Sequence, residues 1–328
     1  MSYCVSIVKG NSRREILEES LHSFDAYIPD VSGRIVIKPN FLSANNLLAS
    51  ITPEALEIVL KHFRNRFPQN EIYVAEGSHV SDIYFNKYKV KDLTDRYGVN
   101  LFSIDKDETN WKEIEFDDLC GNKCKARISR LYTDASYVIS LTVPKTHANI
   151  GVSLSMKNFV GILHPDDRPK FHGLSENVPN EIKELYKRRL YDRDDKIGYY
   201  LMKARGMLPV TKESAKNIKL GGEIVRKNLF NLYSNIQPDL CIIDGFDGME
   251  GNGPWHGDNA RLRTAIIGNN CVVTDLTACK IMGQPLEDIG YTNYINNLSD
   301  FFDNTVFIGS SIDDVKKKLK PHKFEQFL

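Results

Sequence analysis

The sequence predicts an α/β fold: two α/β lobes with largely parallel sheets, a cleft between them, and a helical insertion. Three observations predict it. Short, nearly continuous apolar runs end in polar or Gly residues, as strands covered on both faces do. Helical patterns separate many of these runs, which is the rhythm of a parallel sheet with crossover helices. Residues 165–236 break that rhythm with helical, Tyr-rich and charged sequence and no strand.

In chain order, the predicted strands are VSIV (5–8), RIVIKPN (34–40), EIYVAEG (71–77), SYVISLTVPK (136–145), LCIIDG (240–245), RTAIIG (263–268) and TVFIG (305–309). After Pro53, a helix-start signal, EALEIVLKHFRNRF places Leu56, Val59, Leu60 and Phe63 on one face. VVTDLTACKIMG (272–283) and SIDDVKKKLK (311–320) read as helices too. WKEIEFDDLCGNKCKARISR (111–130) reads as an antiparallel hairpin turning at Gly121-Asn122. The expected organisation is an N-terminal lobe over 1–163, a helical insertion or lid over 164–236, and a C-terminal lobe over 237–328 that completes the cleft.

The chain has 328 residues, with 43 Lys+Arg against 43 Asp+Glu. It exceeds the roughly 250–300 residues that one core usually serves. Zero net charge argues against general nucleic-acid binding, which needs a basic excess to displace phosphate counterions. No run reaches the roughly 18 apolar residues of a spanning helix, and the opening MSYCVSIVKGNSRRE does not read as a signal peptide. A cytoplasmic protein is expected. Of the six dispersed cysteines, several, such as Cys241 and Cys279 in apolar runs, read as small buried hydrophobes in a reducing compartment, while Cys120 and Cys124 read as part of the hairpin around Gly121-Asn122. The charge is uneven, however. Residues 181–230 hold 13 Lys+Arg against seven Asp+Glu, an excess of six positive charges. A solvated helix face is the commoner explanation. A lid or docking surface for an anionic substrate, an anionic partner or a membrane surface is the alternative.

In open α/β sheets, ligands bind beyond the carboxyl ends of the strands. Four strands here end in polar residues: Lys38-Pro39-Asn40, Glu76-Gly77-Ser78, Pro144-Lys145-Thr146-His147 and Asp244-Gly245. A single lysine at such an end would snorkel to solvent; four endings are what a common site would gather. The segment VPKTHANIGVSLSMKNFVGIL (143–163) adds a Gly/Ser stretch, Gly151 to Ser155, entering a predicted helix with Lys157 and Asn158. Backbone N–H groups at such an entry can cradle an anion, although Ser153 and Ser155 could equally serve as plain helix caps. A lysine crowded by other cations loses basicity and can act as a base or Schiff-base nucleophile.

The second segment is DGFDGMEGNGPWHGDNAR (244–261), whose five glycines exclude a helix or central strand. It is neither a Walker loop nor a G-x-G-x-x-G junction, so no nucleotide-cofactor motif is present. It supplies Asp244, Glu250, Asn252 and His256. No built-in iron–sulfur motif occurs either. No H-x-H or H-x-x-x-H pair exists. A metal reading would therefore rest on convergence of His147, His164, His172 and His256.

With these segments identified, the chain resembles the family called domain of unknown function 362. The resemblance rests on IVIKPNF (35–41), TPE (52–54), AEGS (75–78), the 143–163 segment, KFHG (170–173), PDLCIIDGFDGMEGNGPWHG (238–257) and TDLTACKIMG (274–283), in that order. It implies a fold but little biochemistry. Many relatives carry a cysteine-rich, ferredoxin-like extension, and no such run stands in this sequence. His147, the Gly/Ser stretch and Lys157 are also similar to the His…Gly-Phe-Ser-Gly-Gly-Arg-Lys segment of the lactate racemase family. That family uses a nickel-pincer cofactor attached to a lysine, so this similarity points to a reaction class.

The expected function is an enzyme acting on a small anionic metabolite, bearing carboxylate or phosphate, by proton transfer of the isomerase, epimerase or lyase type. Lys38, Lys145, His147, Lys157 and Asp244 are the candidate catalytic residues. Asn40, Glu76, Ser78, Asn158, His172, Glu250, Asn252 and His256 are the candidate substrate-binding residues, with Asp244 and Glu250 expected to orient the cations or act as the opposing base. Two other classes stay open: a redox or accessory protein associated with an iron–sulfur cluster or metal, and a non-enzymatic binding module for an anionic ligand.

Overall fold

A computed structural model describes residues 3–78, 80–108, 110–183 and 212–322, with only the backbone for 212–220. In chain order, the strands are β1 (Tyr3–Lys9), β2 (Ile35–Pro39), β3 (Ile72–Glu76), β4 (Asn100–Ser103), β5 (Trp111–Asp117), β6 (Lys123–Ser129), β7 (Tyr137–Thr142), β8 (Lys145–His147), β9 (Gly151–Ser153), β10 (Leu240–Gly245), β11 (Met249–Glu250), β12 (Asp258–Asn259), β13 (Thr264–Gly268) and β14 (Thr305–Gly309).

Eight of them form one sheet in the order β14-β1-β13-β10-β7-β2-β3-β4. Only β13 runs against its neighbours. The predicted α/β class with largely parallel strands is therefore present. The two halves of the chain meet in this single sheet, because β7 and β10 pair directly. Even β1 lies on the C-terminal side, between β13 and β14. The 1–163 and 237–328 segments thus share one sheet, with no separate sheet for each lobe.

The inner strands are buried on both faces, which explains their unbroken apolar runs; the run TVFIG, by contrast, forms the edge strand β14, where Val306 and Phe307 are exposed. Successive residues alternate between two cores. Val5, Ile7, Val36, Cys241 and Ile243 face one; Cys4, Val8, Ile35, Ile37, Leu240 and Ile242 face the other. On the second face lie the helices Arg13–Phe24 and Pro53–Arg66. Ser12 and Glu15 form a capping box at the first, and Thr52 with Pro53 starts the second. On the first face lies Cys271–Ile281, a helix buried on every side except at Lys280.

The hairpin forms as predicted, β5 pairing with β6. Within the described part of the insertion, helices cover Arg168–Phe171 and Lys212–Asn235, the latter sending Val225, Leu229 and Leu232 into the core, while 172–179 are turns and coil. Residues 184–211, including much of the basic segment, lie outside the described residues. The helix expected over 311–320 covers only Ile312–Val315. Beyond it the chain is extended, because Lys317 N and Leu319 N donate to Ile281 O (2.8 Å) and Met282 O (2.9 Å). Among the described residues no helix is long and apolar enough to cross a membrane.

Candidate active site

The strand order places the site. From β2 the chain moves outward through β3 and β4, then returns to set β7 on the other side of β2. The order therefore reverses between β2 and β7, and ligands of open α/β sheets bind at such a switch point. β10, β7, β2 and β3 are adjacent and parallel, so the four polar strand ends emerge along one edge. A second sheet, β12-β11-β8-β9, is built on that edge. In it Lys145 opposes Met249 on one side and Ser153 on the other. Lys145 and His147 stand two residues apart on β8, hence on one face.

Lys38 is only 1 % exposed and pairs with Glu76 (2 % exposed) at 2.6 Å. It also donates to Pro39 O (2.9 Å) and Asn158 Oδ1 (3.3 Å). Glu76 accepts from Phe41 N (3.0 Å) and Gly77 N (2.8 Å). Asn158 Nδ2 donates to Lys38 O (2.8 Å) and Ser140 Oγ (3.2 Å). This network closes on itself. Gly161 seals it: a Cβ there would stand 2.7 Å from Glu76 Oε1 and 2.9 Å from Lys38 Nζ. Burial pushes the Lys38 ammonium down, opposed chiefly by Glu76.

Lys145 differs in one respect. It is as buried as Lys38, at 1 % exposed, yet among the described residues it forms no ion pair with a carboxylate. Its amine donates to Asn40 Oδ1 and to Ala49 O (3.1 Å), both neutral. Burial, then the charges of Lys157 and Lys38, lower it from 10.5 to about 7; only Glu76 opposes them. A neutral amine has two N–H donors and one lone pair. Two acceptors satisfy those donors and leave the lone pair for a proton. Lys157 is half-buried, with its ammonium 4.9 Å from the centre of the Phe171 ring. His147 is buried, and its Nδ1 accepts from Asn149 N (3.1 Å), which puts the proton of the neutral ring on Nε2.

The predicted anion cradle is filled from within the protein. Ser155 N and Met156 N, at the entry to the short Ser155–Asn158 helix, donate to the two carboxylate oxygens of Asp275 (2.8 and 3.1 Å). Tyr291 OH donates to the same carboxylate (3.1 Å). Burial raises Asp275 to about 6. Asp275 therefore fixes the turn that carries Lys157 and Asn158, and these two N–H groups are spent on it.

Other candidates sit elsewhere. Asp244 does not face the lysines: Arg13 Nε holds it at 2.8 Å, and Phe246 N donates to it at 3.2 Å. Glu250 pairs with Lys320 (3.4 Å) and accepts from Lys320 N (3.0 Å), at the C-terminal segment. Asn252 and His256 are exposed. Ser78 ties its turn to Phe41 O (2.8 Å). His164 accepts at Nδ1 from Asp166 N (3.2 Å), with Arg127 Nη2 at 3.0 Å. His172 sets its ring edge-on to Phe171. His79 lies outside the described residues. Among the described residues no three His, Cys, Asp or Glu side chains gather to hold a metal ion. The glycine-rich loop has a structural duty. Gly253 backs onto Thr146, whose Oγ1 donates to Gly251 O (2.9 Å), and Asn46 Nδ2 bonds Trp255 O (2.9 Å). That last bond joins the two segments flanking Lys145.

The family model "Domain of unknown function (DUF362)" matches residues 35–280 of the chain, from β2 to the end of the Cys271–Ile281 helix. The chain belongs to the DUF362 family. This DUF362 chain is similar to "Thylakoid-associated protein sll1697" of Synechocystis sp., 27 % identical over 132 residues. The match covers 40 % of this chain and only 28 % of that relative. The lactate racemase apoprotein of Thermoanaerobacterium thermosaccharolyticum matches with a TM-score of 0.46 at 13 % identity. That match covers 85 % of this chain and 56 % of the racemase chain.

Three contributors to the candidate site have no place among the expected site residues. Asp275 had a signal, as the one acid in the apolar run VVTDLTACKI. Ser140, inside an unbroken strand run, and Ala49, acting through its carbonyl, had none.

Proposed function

We propose that this DUF362 protein is an enzyme that moves a proton on a small anionic metabolite, in an isomerase, epimerase or lyase reaction. The observation that carries this reading is Lys145: a buried amine of lowered basicity, held by two neutral acceptors, at the switch point of the sheet. A general base works best when its pKa lies near the working pH. In this reading Lys145 takes the proton. Lys157 meets the carboxylate or phosphate, and His147 donates from Nε2 to the enolate-like oxygen as charge develops. Asn40 aims Lys145. Lys38, Glu76 and Asn158 become positioning residues, because their hydrogen bonds are spent on one another.

The test is solvent exchange. A panel of 2-hydroxy acids, 2-oxo acids and phosphate esters is incubated with the protein in D2O, and deuterium uptake is read by mass spectrometry. One class is expected to exchange, with a rate that rises through about pH 7 as Lys145 loses its proton. Lys145→Met and Lys157→Met should each cut the rate at least about 100-fold, the scale of a lost acid–base group. No exchange across the panel, or full exchange in both variants, would contradict the reading.

A further inference from the structure

A cavity of about 520 Å³ lies at the far end of the Cys271–Ile281 helix, where the C-terminal segment crosses it. Its lining is Lys280, Gly283, Gln284, Pro285, Leu286, Lys316, Lys318, Leu319 and Pro321. Three of these residues are cations and none is an acid. Residues of the Lys145 site are not among them.

Glu250 and two carbonyls at the end of the Cys271–Ile281 helix are otherwise engaged. Glu250 is paired with Lys320. A helix C-terminus repels anions through its unpaired carbonyls, but here Ile281 O and Met282 O accept from Lys317 N and Leu319 N. Gln284 Nε2 ties the crossing segment down at Leu319 O (2.8 Å). Lys317 and Lys320 point elsewhere, to Ala260 O (2.6 Å) and Glu250. That division of a Lys-rich run leaves Lys316 and Lys318 to the cavity. Lys280 is steadied by the Phe302 ring, 3.7 Å from its ammonium. The other wall is apolar: Pro285, Leu286, Leu319 and Pro321.

We propose that this cavity is a second anion site, taking a phosphate monoester whose apolar body rests on the Pro/Leu wall. The three ammonium groups supply charge-assisted hydrogen bonds to the phosphate, and the wall removes the ester group from water. The site is independent of the reading given for Lys145.

Titration calorimetry with phenyl phosphate and with inorganic phosphate tests it. Phenyl phosphate should bind one to one, about tenfold more tightly than inorganic phosphate. K316Q/K318Q, which alters two exposed side chains, should weaken phenyl phosphate at least about tenfold. The charge-matched control K61Q/K89Q, also at exposed positions, should leave it unchanged. Absence of saturable binding would overturn the proposal. So would equal weakening in the two variants, which would mean diffuse surface attraction, or equal affinity for both probes, which would mean the wall plays no part.

Discussion

Glu76→Ala is expected to destabilise the protein by about 5 kcal/mol, because it leaves a buried ammonium without its counter-charge. Lys38 would keep only Pro39 O and Asn158 Oδ1 as partners. Phe41 N and Gly77 N would lose their acceptors as well, at a cost of about 1–3 kcal/mol if they find no other partner. Gly161 covers the pair, so water has little room to replace the carboxylate. Urea unfolding reads the effect. The double variant Lys38→Met/Glu76→Met should recover most of the loss, since removing both charges of a buried pair is often neutral. If Glu76→Ala costs less than about 1 kcal/mol, in the range of an exposed pair, the sealed network described above is wrong.

The second large effect has the opposite sign. Lys145→Met is expected to stabilise the fold by about 2–4 kcal/mol near pH 6. A fall from 10.5 to about 7 corresponds to a penalty of roughly 5 kcal/mol on the buried ammonium. Against that gain, Asn40 Oδ1 and Ala49 O lose a donor, for about 1–3 kcal/mol. The pH dependence follows from the sign. Lys145 has a folded value below its unfolded one. The penalty is full below about pH 7, shrinks as pH rises toward 10.5, and vanishes above it. The advantage of the Met variant should therefore fade between pH 7 and pH 10. Thermal unfolding across that range checks it. A pH-independent difference would mean that Lys145 is charged and solvated in the native state. A side chain that weakens the fold and can be replaced by an apolar one is what a functional group costs.

Much of this was legible in the sequence, for a physical reason. β2, β3, β7 and β10 are covered on both faces, so their apolar runs are continuous and their polar ends conspicuous. Lys38, Asn40, Glu76, Lys145 and Asn158 do come together, because those strands are neighbours in the sheet. β4 was not legible: it is one exposed and three half-exposed residues at a sheet edge. Nor was the small sheet, whose strands of two or three residues carry no periodicity. Asp244 and Glu250 read from sequence as partners of the lysines because strand-end position does not reveal ion-pair partners. Arg13 comes from a distant helix and Lys320 from the C-terminal segment. The helical reading of SIDDVKKKLK failed because two carbonyls of another helix draw the chain out straight.

Burial and the neighbouring lysines lower Lys145 to about 7, so that a large share of it is the neutral amine at physiological pH. Its basicity can be measured directly by NMR titration of lysine labelled with 13C at Cε, with the resonance assigned by its loss in Lys145→Met. The account predicts one lysine titrating near pH 7, well apart from the exposed lysines. A Lys145 resonance that titrates at about 10 or above, as a solvated lysine does, would contradict it.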